Sequence, residues 1–269
     1  MKKSFTYIIL IVGTISFIYP FFWMIMASLT PEKELINLIF WPESFTFSNY
    51  TKMFDKIPIG RSLANSIFVS SIVTFGVIVF SAMVGYALAK MKFAGRGLIF
   101  YIIIFTMTLP FQITLIPNYI TIIKLGWVDQ YTALIIPFLI NNFAILLFRQ
   151  SFMSIPQALI DAARVDGCNE MRIIFQVLFP SIIPTIVTVG IITFMSTWNE
   201  VLWPLIVIRE EQLMTMPQMV TLFSVGGRSE NQLGVKLASA VLLALPIIIA
   251  FIFFQKYFIQ SMASSGIKE

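Results

Sequence analysis

Histidine is absent and cysteine occurs once, at Cys168. The chain therefore lacks the commonest general base, the commonest zinc ligand and any internal disulfide. No nucleophile–base constellation is visible, and no G-x-x-x-x-G-K-[ST] phosphate loop. Neither enzymatic chemistry nor ATP hydrolysis is expected of this chain itself, and no metal or cofactor. What polar chemistry remains is sparse and lies inside apolar stretches: Gln112, Asn118, Asn142, Asn199 and Glu200. These side chains can line a polar path and bond solute hydroxyls. Each also has a plainer reading: Asn141 and Asn142 can tie helices together, and Glu200 can cap a helix or reach an outer interface. Gly226 and Gly227 sit in a polar stretch, Arg209 to Lys236, too long for a simple turn, and are candidates for contact with an external partner.

The other informative segment is 154–180. Ser154 with Gln157 reads as a capping box. Pro156 is tolerated in a first turn. Leu159, Ala162 and Ala163 form an i, i+3, i+4 stripe. Gly167 suits the left-handed position that ends a helix. Asn169 can cap the next helix, and Glu170 complements its positive end. Met171, Ile174, Phe175 and Leu178 fall on one apolar face. The result is two short helices around a sharp turn. Such a hairpin must rest on its own bundle, on the lipid interface or on a docked partner. Cys168, beside the turn glycine, reads as a packed small side chain.

The elements that must carry these residues are membrane spans. The chain is 58% hydrophobic and 12% charged, against about 25% charged for soluble domains. A spanning helix needs about 20 apolar residues. Six uncharged stretches fit, between Lys3 and Glu32, Arg61 and Lys90, Arg96 and Lys124, Asp129 and Arg149, Arg172 and Glu200, and Lys236 and Lys256. The fifth is expected to continue past Glu200 through residues 201–208. The first is longer than a signal-peptide core and reads as a retained signal anchor. Prolines at 20, 110, 117, 137, 204 and 246 are expected to kink the spans. Ser81, Gly85 and Ala89 form a small-residue stripe for close helix packing. The net charge of +5 reads as positive-inside bias and not as nucleic-acid affinity. The dense basic connection at Lys90, Lys92 and Arg96 places both termini in the cytoplasm, with 32–61 and 208–236 outside. The organisation expected is a first helix and outer loop over 1–60, then a five-helix core over 61–269 carrying the inner loop 154–180.

That inner loop resembles the E-A-A-x-x-x-G…I-x-L-P segment of ABC importer permeases: Asp161-Ala162-Ala163, Gly167, then Val177-Leu178-Phe179-Pro180. Asn49-Tyr50, Asn65-Ser66, Tyr86 to Lys90, Trp198-Asn199-Glu200, Trp203-Pro204-Leu205 and the tail Gln255 to Lys268 resemble the carbohydrate-uptake group, and within it the maltose-system-G-type subunit. The departures are Asp for Glu, Val for Ile and Phe for Leu.

The resemblance implies an all-α membrane protein with the type I importer bundle of six transmembrane helices and a cytoplasmic coupling helix. It implies a permease subunit of an ATP-driven, binding-protein-dependent importer for a sugar or oligosaccharide, multi-pass in the inner membrane and surrounded by lipid. Its partners would be a second permease, an ABC ATPase dimer and an extracytoplasmic solute-binding protein. Asp161, Ala162, Ala163, Asp166, Gly167, Phe175 and Pro180 would couple to the ATPase, with Ala162 and Ala163 lying against it. The competing class is a secondary transporter or channel without an ATPase. It would ordinarily show ionisable residues within the spans, where only Glu200 qualifies.

Overall fold

The computed structural model describes residues 2–35, 41–225 and 232–266, so Gly226 and Gly227 lie outside the described residues. Among them there are helices and connections and no strand. In lipid this follows from the backbone, whose N–H and C=O groups find no water and must pair within the segment. The helices are α1 (Lys2–Ser28), α2 (Glu32–Leu35), α3 (Ser48–Lys56), α4 (Ile59–Lys90), α5 (Arg96–Met107), α6 (Phe111–Lys124), α7 (Tyr131–Ile135), α8 (Asn142–Met153), α9 (Gln157–Val165), α10 (Glu170–Arg172), α11 (Ile183–Trp198), α12 (Leu202–Val207), α13 (Met216–Val225) and α14 (Leu233–Gly266). Among the described residues four uninterrupted segments are long and apolar enough to cross a membrane, and the count rises to six if two bent pairs each make one span.

The chain divides into two compact units. In the first (Met1–Leu63 with Thr215–Ile248), α1 is apolar all round and largely uncovered, with Phe17 81% exposed. A helix of that kind belongs in lipid. Its end is pinned by polar contacts: Asn49 Nδ2 donates to the carbonyls of Ser28 (2.9 Å) and Thr30 (2.8 Å), and the Tyr50 and Ser28 hydroxyls pair at 2.8 Å. Glu32 accepts from the backbone N–H groups of Leu233 (2.6 Å) and Gly234 (3.0 Å). Its carboxylate thereby caps the positive end of α14. A Cβ on Gly234 would lie 2.5 Å from the Asn49 amide, so only glycine lets the two segments meet there. The stretch after Arg209 is not an open loop, since α13 folds within it and buries Met216, Gln218, Met219 and Phe223.

The second unit (Ala64–Met214 with Ile249–Glu269) holds one apolar core. Val73 and Val77 of α4, Phe148 and Phe152 of α8, Ile160 of α9, Leu178, Val189 of α11 and Trp203 of α12 meet in it. Close packing of α4 on α8 depends on Gly85, where a Cβ would lie 2.8 Å from Phe148 Cβ and 3.0 Å from Arg149 N. Ser81, one turn away, pairs with the backbone of Asn141. The small-residue stripe is thus an internal packing seam. Asn65 Nδ2 donates to the carbonyls of Gln212 and Met214 while Tyr131 donates to its Oδ1 at 2.7 Å.

Four expectations need correction. Residues between Arg96 and Lys124 are not merely kinked at their prolines but form a bent pair, in which α5 and α6 meet at 103°. Pro110 is extended (φ −66°, ψ 141°) and, lacking an N–H, cannot continue the helix before it. The fifth span does not run on through residues 201–208: α11 ends at Trp198 and α12 is separate. Of the prolines, Pro20, Pro117 and Pro246 lie inside helices, whereas Pro110 and Pro137 lie at breaks and Pro204 in the short α12. Ser154 does not cap α9. Its hydroxyl donates back to Ser151 O at 2.8 Å, and extended Pro156 precedes the helix.

Candidate functional site: the 154–180 hairpin

The turn of the hairpin is set by Gly167. Its φ is +79°, a left-handed value that costs a residue with a Cβ about 1–2 kcal/mol. The N–H of Gly167 bonds Arg164 O and that of Cys168 bonds Ala163 O, both at 3.0 Å. This pair of bonds closes a Schellman motif, which satisfies the last carbonyls of α9. The apolar contact that accompanies such a motif comes from Cys168, which packs on the core. The returning helix is capped by Asn169, whose Oδ1 accepts from Arg172 N at 2.9 Å.

After α10 the chain is π-helical over Ile173–Leu178 and then 3₁₀ over Phe179–Ile182. Ile173, Ile174 and Leu178 are buried and Phe175 packs against the same core, while Met171 is 49% exposed, so three of the four residues expected on the apolar face lie on it, with Ile173 in place of Met171. On α9 likewise, Ile160 and Ala163 are buried, and Leu159 and Ala162 are exposed. Phe175 packs edge-on against Phe179 at 4.9 Å, and Phe179 stacks on Phe148. Pro180 is exposed beside them. π-bulges tend to mark functional sites because their extra residue can shift along the helix.

Polar contacts tie the hairpin to α4. The Tyr86 hydroxyl, on a ring only 1% exposed, donates to Glu170 Oε2. Glu170 Oε1 in turn accepts from Arg164 Nε at 3.0 Å, with the second Arg164 nitrogen also at 3.0 Å. Arg164 reaches Asp161 at 3.5 Å, and Gln157 donates to Asp161 at 3.1 Å. The Glu170 carboxylate raises the Arg164 pKa further above its ordinary value. Lys90, the last residue of α4, donates to Ile155 O at 2.6 Å. The hairpin is therefore held to α4 at its start, through Ile155, and beside its turn, through Glu170. Sequence reasoning placed Glu170 only as a helix-end charge and left Arg164, Tyr86 and Lys90 out of the site. The available signal was Tyr86 itself, whose phenol within an apolar span requires a polar partner.

Asp161, Ala162 and Asp166 remain exposed, as does Val165 at 88%. Together with Leu159 and Met171 they leave an apolar surface with acidic margins that this chain does not cover.

Four of the five residues assigned to a polar path, Gln112, Asn142, Asn199 and Glu200, stand at or next to interruptions of the helices, whereas Asn118 stands inside α6. Gln112 is exposed in the first turn of α6, just past the Pro110 break, and Asn118 is half-buried one to two turns on. Asn142 begins α8 at the 40° break after Phe138 and donates to Thr106 Oγ1 at 2.9 Å. Asn141 caps α8 through Ala144 N. Asn199 donates to Met195 O, and Glu200 accepts from Trp203 N at 3.1 Å, so it caps α12. Trp203 itself is buried, donates to Ala133 O and packs edge-on to Phe111 and Phe138. A groove of about 380 Å³ between α4, α11 and α14 is walled by Ile78, Ile186, Phe194 and Phe251 and offers little beyond Thr74 to a polar solute.

A family model described as binding-protein-dependent transport system inner membrane component matches residues 77–264. The chain is 36% identical over 257 residues to the arabinooligosaccharides transport system permease protein AraQ of Halalkalibacterium halodurans, covering 93% of this chain and 91% of that protein. It is 34% identical to the AraQ of Bacillus subtilis, covering 94% of this chain and 91% of that protein. Among solved structures it is similar to a chain of a bacterial ABC transporter involved in the import of the acidic polysaccharide alginate, with TM-score 0.82, 26% identity and coverage of 95% and 96%. The protein belongs to the family of binding-protein-dependent transport system inner membrane components.

Proposed function

We propose that this chain is one permease subunit of an ATP-driven importer of a sugar or oligosaccharide, forming the path with a second permease and coupling to a separate ATPase through the 154–180 hairpin. The relatives are permeases of arabinooligosaccharide transport, and the similar solved chain belongs to an alginate importer. Sugar chains, whose hydroxyls pair with amide and carboxylate side chains, are the substrate class these names share.

The observation that carries the coupling role is the contact of Tyr86 with Glu170. A hairpin with an exposed apolar tip is fastened through it to a long span. Asp161, Ala162, Asp166, Gly167, Phe175 and Pro180 present or shape that tip, and closure of an ATPase dimer around it would pull α4 along. A bundle with two packings of similar energy then responds to ATP through differential contacts at this one place. Ala163 acts from behind, as part of the core. The path role of Gln112, Asn142, Asn199 and Glu200 is supported by their position at helix breaks, since irregular backbone at membrane depth is stable only where protein or a wet cavity faces it, and Asn118 follows them along α6. The orientation follows from the basic connection at Lys90 to Arg96, with both termini in the cytoplasm.

The test is uptake by the full complex in proteoliposomes. With labelled arabino-oligosaccharide on its binding protein outside and ATP inside, accumulation is expected only when all components and ATP are present. Accumulation driven by a proton gradient without ATP would establish the secondary-transporter reading instead.

A further inference from the structure

At the end of α4 stand four cations, none of which makes an ion pair among the described residues. The sequence holds no Asp or Glu between Asp55 and Asp129, nor between Asp129 and Asp161. Lys90 spends its ammonium on Ile155 O. Arg96 folds back over the end of α4 and donates to the carbonyls of Ala89 (3.3 Å) and Met91 (3.2 Å). Lys92 is exposed between them. Arg149, from α8, lays its guanidinium over the Phe100 ring at 4.0 Å. Phe100 lies four residues past Arg96, so the Arg149 charge sits on the same side of α5, one turn further along the helix. Arg149 Nε is buried with no hydrogen-bond partner. A charged donor in that condition is costly unless an acceptor arrives.

The surroundings say what kind of acceptor. No residue of α5 is buried. Leu98 (66% exposed), Tyr101 (72%) and Ile102 (51%) cover the helix with apolar surface directly beyond the cations. Gly95, at φ +82°, precedes α5, and Ile99 N–H donates to Gly95 O at 3.0 Å. The N–H groups of the first turn thus face outward beside the cations. A phosphate with an acyl chain attached matches both halves of this surface. Its charge meets Lys92, Arg96 and Arg149, and its chain lies along α5. A free phosphate would leave the apolar half unused.

We propose that Lys90, Lys92, Arg96 and Arg149 form a headgroup site for an anionic phospholipid, with α5 as the bed for its acyl chain. The site lies at the membrane surface where α4 ends, which under the orientation given above is the cytoplasmic leaflet, the leaflet where basic pockets between helices meet anionic lipid. The bound lipid would hold the α4–α5 connection next to the end of α4 that carries the hairpin.

The test is lipid retention by the full-length protein purified in its complex, exchanged into nanodiscs of phosphatidylcholine doped with phosphatidylglycerol, then released and counted by native mass spectrometry. Phosphatidylglycerol should be retained in preference to phosphatidylcholine, and retention should drop roughly fivefold for each charge lost in Lys92→Gln and Arg149→Gln. Arg149→Lys should keep most of it. Inorganic phosphate at millimolar concentration should not displace the lipid; if it does, the site is for phosphate. Lys92→Gln, at an exposed position, controls for misfolding of the Arg149 variants. Equal retention of the two lipids, or no change in any variant, overturns the proposal. So does a photo-crosslinker at position 98 that captures a second permease and no lipid. None of these readouts depends on transport, so the site and the importer reading fail separately.

Discussion

Tyr86 and Glu170 are 84 positions apart, yet the phenol of one donates to the carboxylate of the other. The bond joins the buried wall of a span to the hinge of an exposed hairpin. A hydrogen bond to a charged group contributes about 1.5–3 kcal/mol. The Arg164 ion pair on the same carboxylate is nearly two-fifths exposed on both sides, and a pair in that setting adds at most about 1 kcal/mol. At the turn the tie to α4 therefore resides in the tyrosine, since the Arg164 pair lies within the hairpin, while Lys90 holds the hairpin's start separately through Ile155 O.

Tyr86→Phe keeps the ring and its edge-on packing against Phe152 but removes the tie. The ATPase should still associate, because the exposed tip is unchanged. Uptake per ATP hydrolysed should fall several-fold, measured as the ratio of transported sugar to released phosphate in proteoliposomes. An unchanged ratio would mean that motion reaches α4 by another contact.

Gly167 offers a cleaner test of the turn. An added Cβ would meet nothing within 4 Å, so any cost of substitution is conformational. Gly167→Asn, which tolerates left-handed backbone, should retain most activity, whereas Gly167→Val should lose about 1–2 kcal/mol locally. The expected sign is loss of ATPase co-purification in the valine variant alone. Equal loss in both would place the requirement on side-chain size at the interface.

Much of this was legible in the sequence and some was not, for physical reasons. The spans followed from apolar length, and the turn at Gly167 and cap at Asn169 from local chemistry that needs no tertiary context. The 103° break at Pro110 was not legible, because proline inside apolar sequence is compatible with both a kink and a full stop, and neighbours decide. The burial of Ile173 in place of Met171 was hidden, because the returning segment is π-helical and π winding leaves no mark in α-helical spacing. The anchoring by Lys90 and Tyr86 joins segments distant in sequence, which residue spacing alone does not reveal. Glu200 was readable as a cap, and the bond to Trp203 N has that form.

That cap gives a third prediction. Glu200→Gln retains an acceptor for Trp203 N, while Glu200→Ala removes it at a cost of about 0.5–2 kcal/mol. If Glu200 serves only the fold, the glutamine variant should transport normally and only the alanine variant should lose thermal stability. A KM for the loaded binding protein or its sugar that rises in the glutamine variant, at unchanged stability, would give the carboxylate a place in the path.

Topology can be read from single cysteines in a Cys168→Ser background. Val165, 88% exposed, should label in Val165→Cys only from the cytoplasmic side. Lys52, exposed on α3, should label in Lys52→Cys only from outside. The reverse pattern would invert the orientation and place the hairpin out of reach of any ATP-binding partner.

The two alanines of the hairpin separate docking from folding. Ala163 is 8% exposed and belongs to the core with Ile160 and Leu178. Ala162, the preceding residue, faces outward. A long charged side chain at 163 must either unpack that core or swing the helix, and overpacking alone typically costs about 1–3 kcal/mol before the buried charge is counted. Ala163→Arg should therefore lower the melting temperature and the yield of inserted protein. Ala162→Arg meets solvent and should leave both unchanged. If the exposed face of α9 is where the ATPase sits, Ala162→Arg should nevertheless abolish its co-purification, since the added guanidinium would fill a close contact. Size-exclusion chromatography of the complex with a quantified ATPase band decides the matter. Full ATPase occupancy on the Ala162→Arg variant would move the docking surface off this face, to the Val165 tip or to the side of the hairpin that carries Met171.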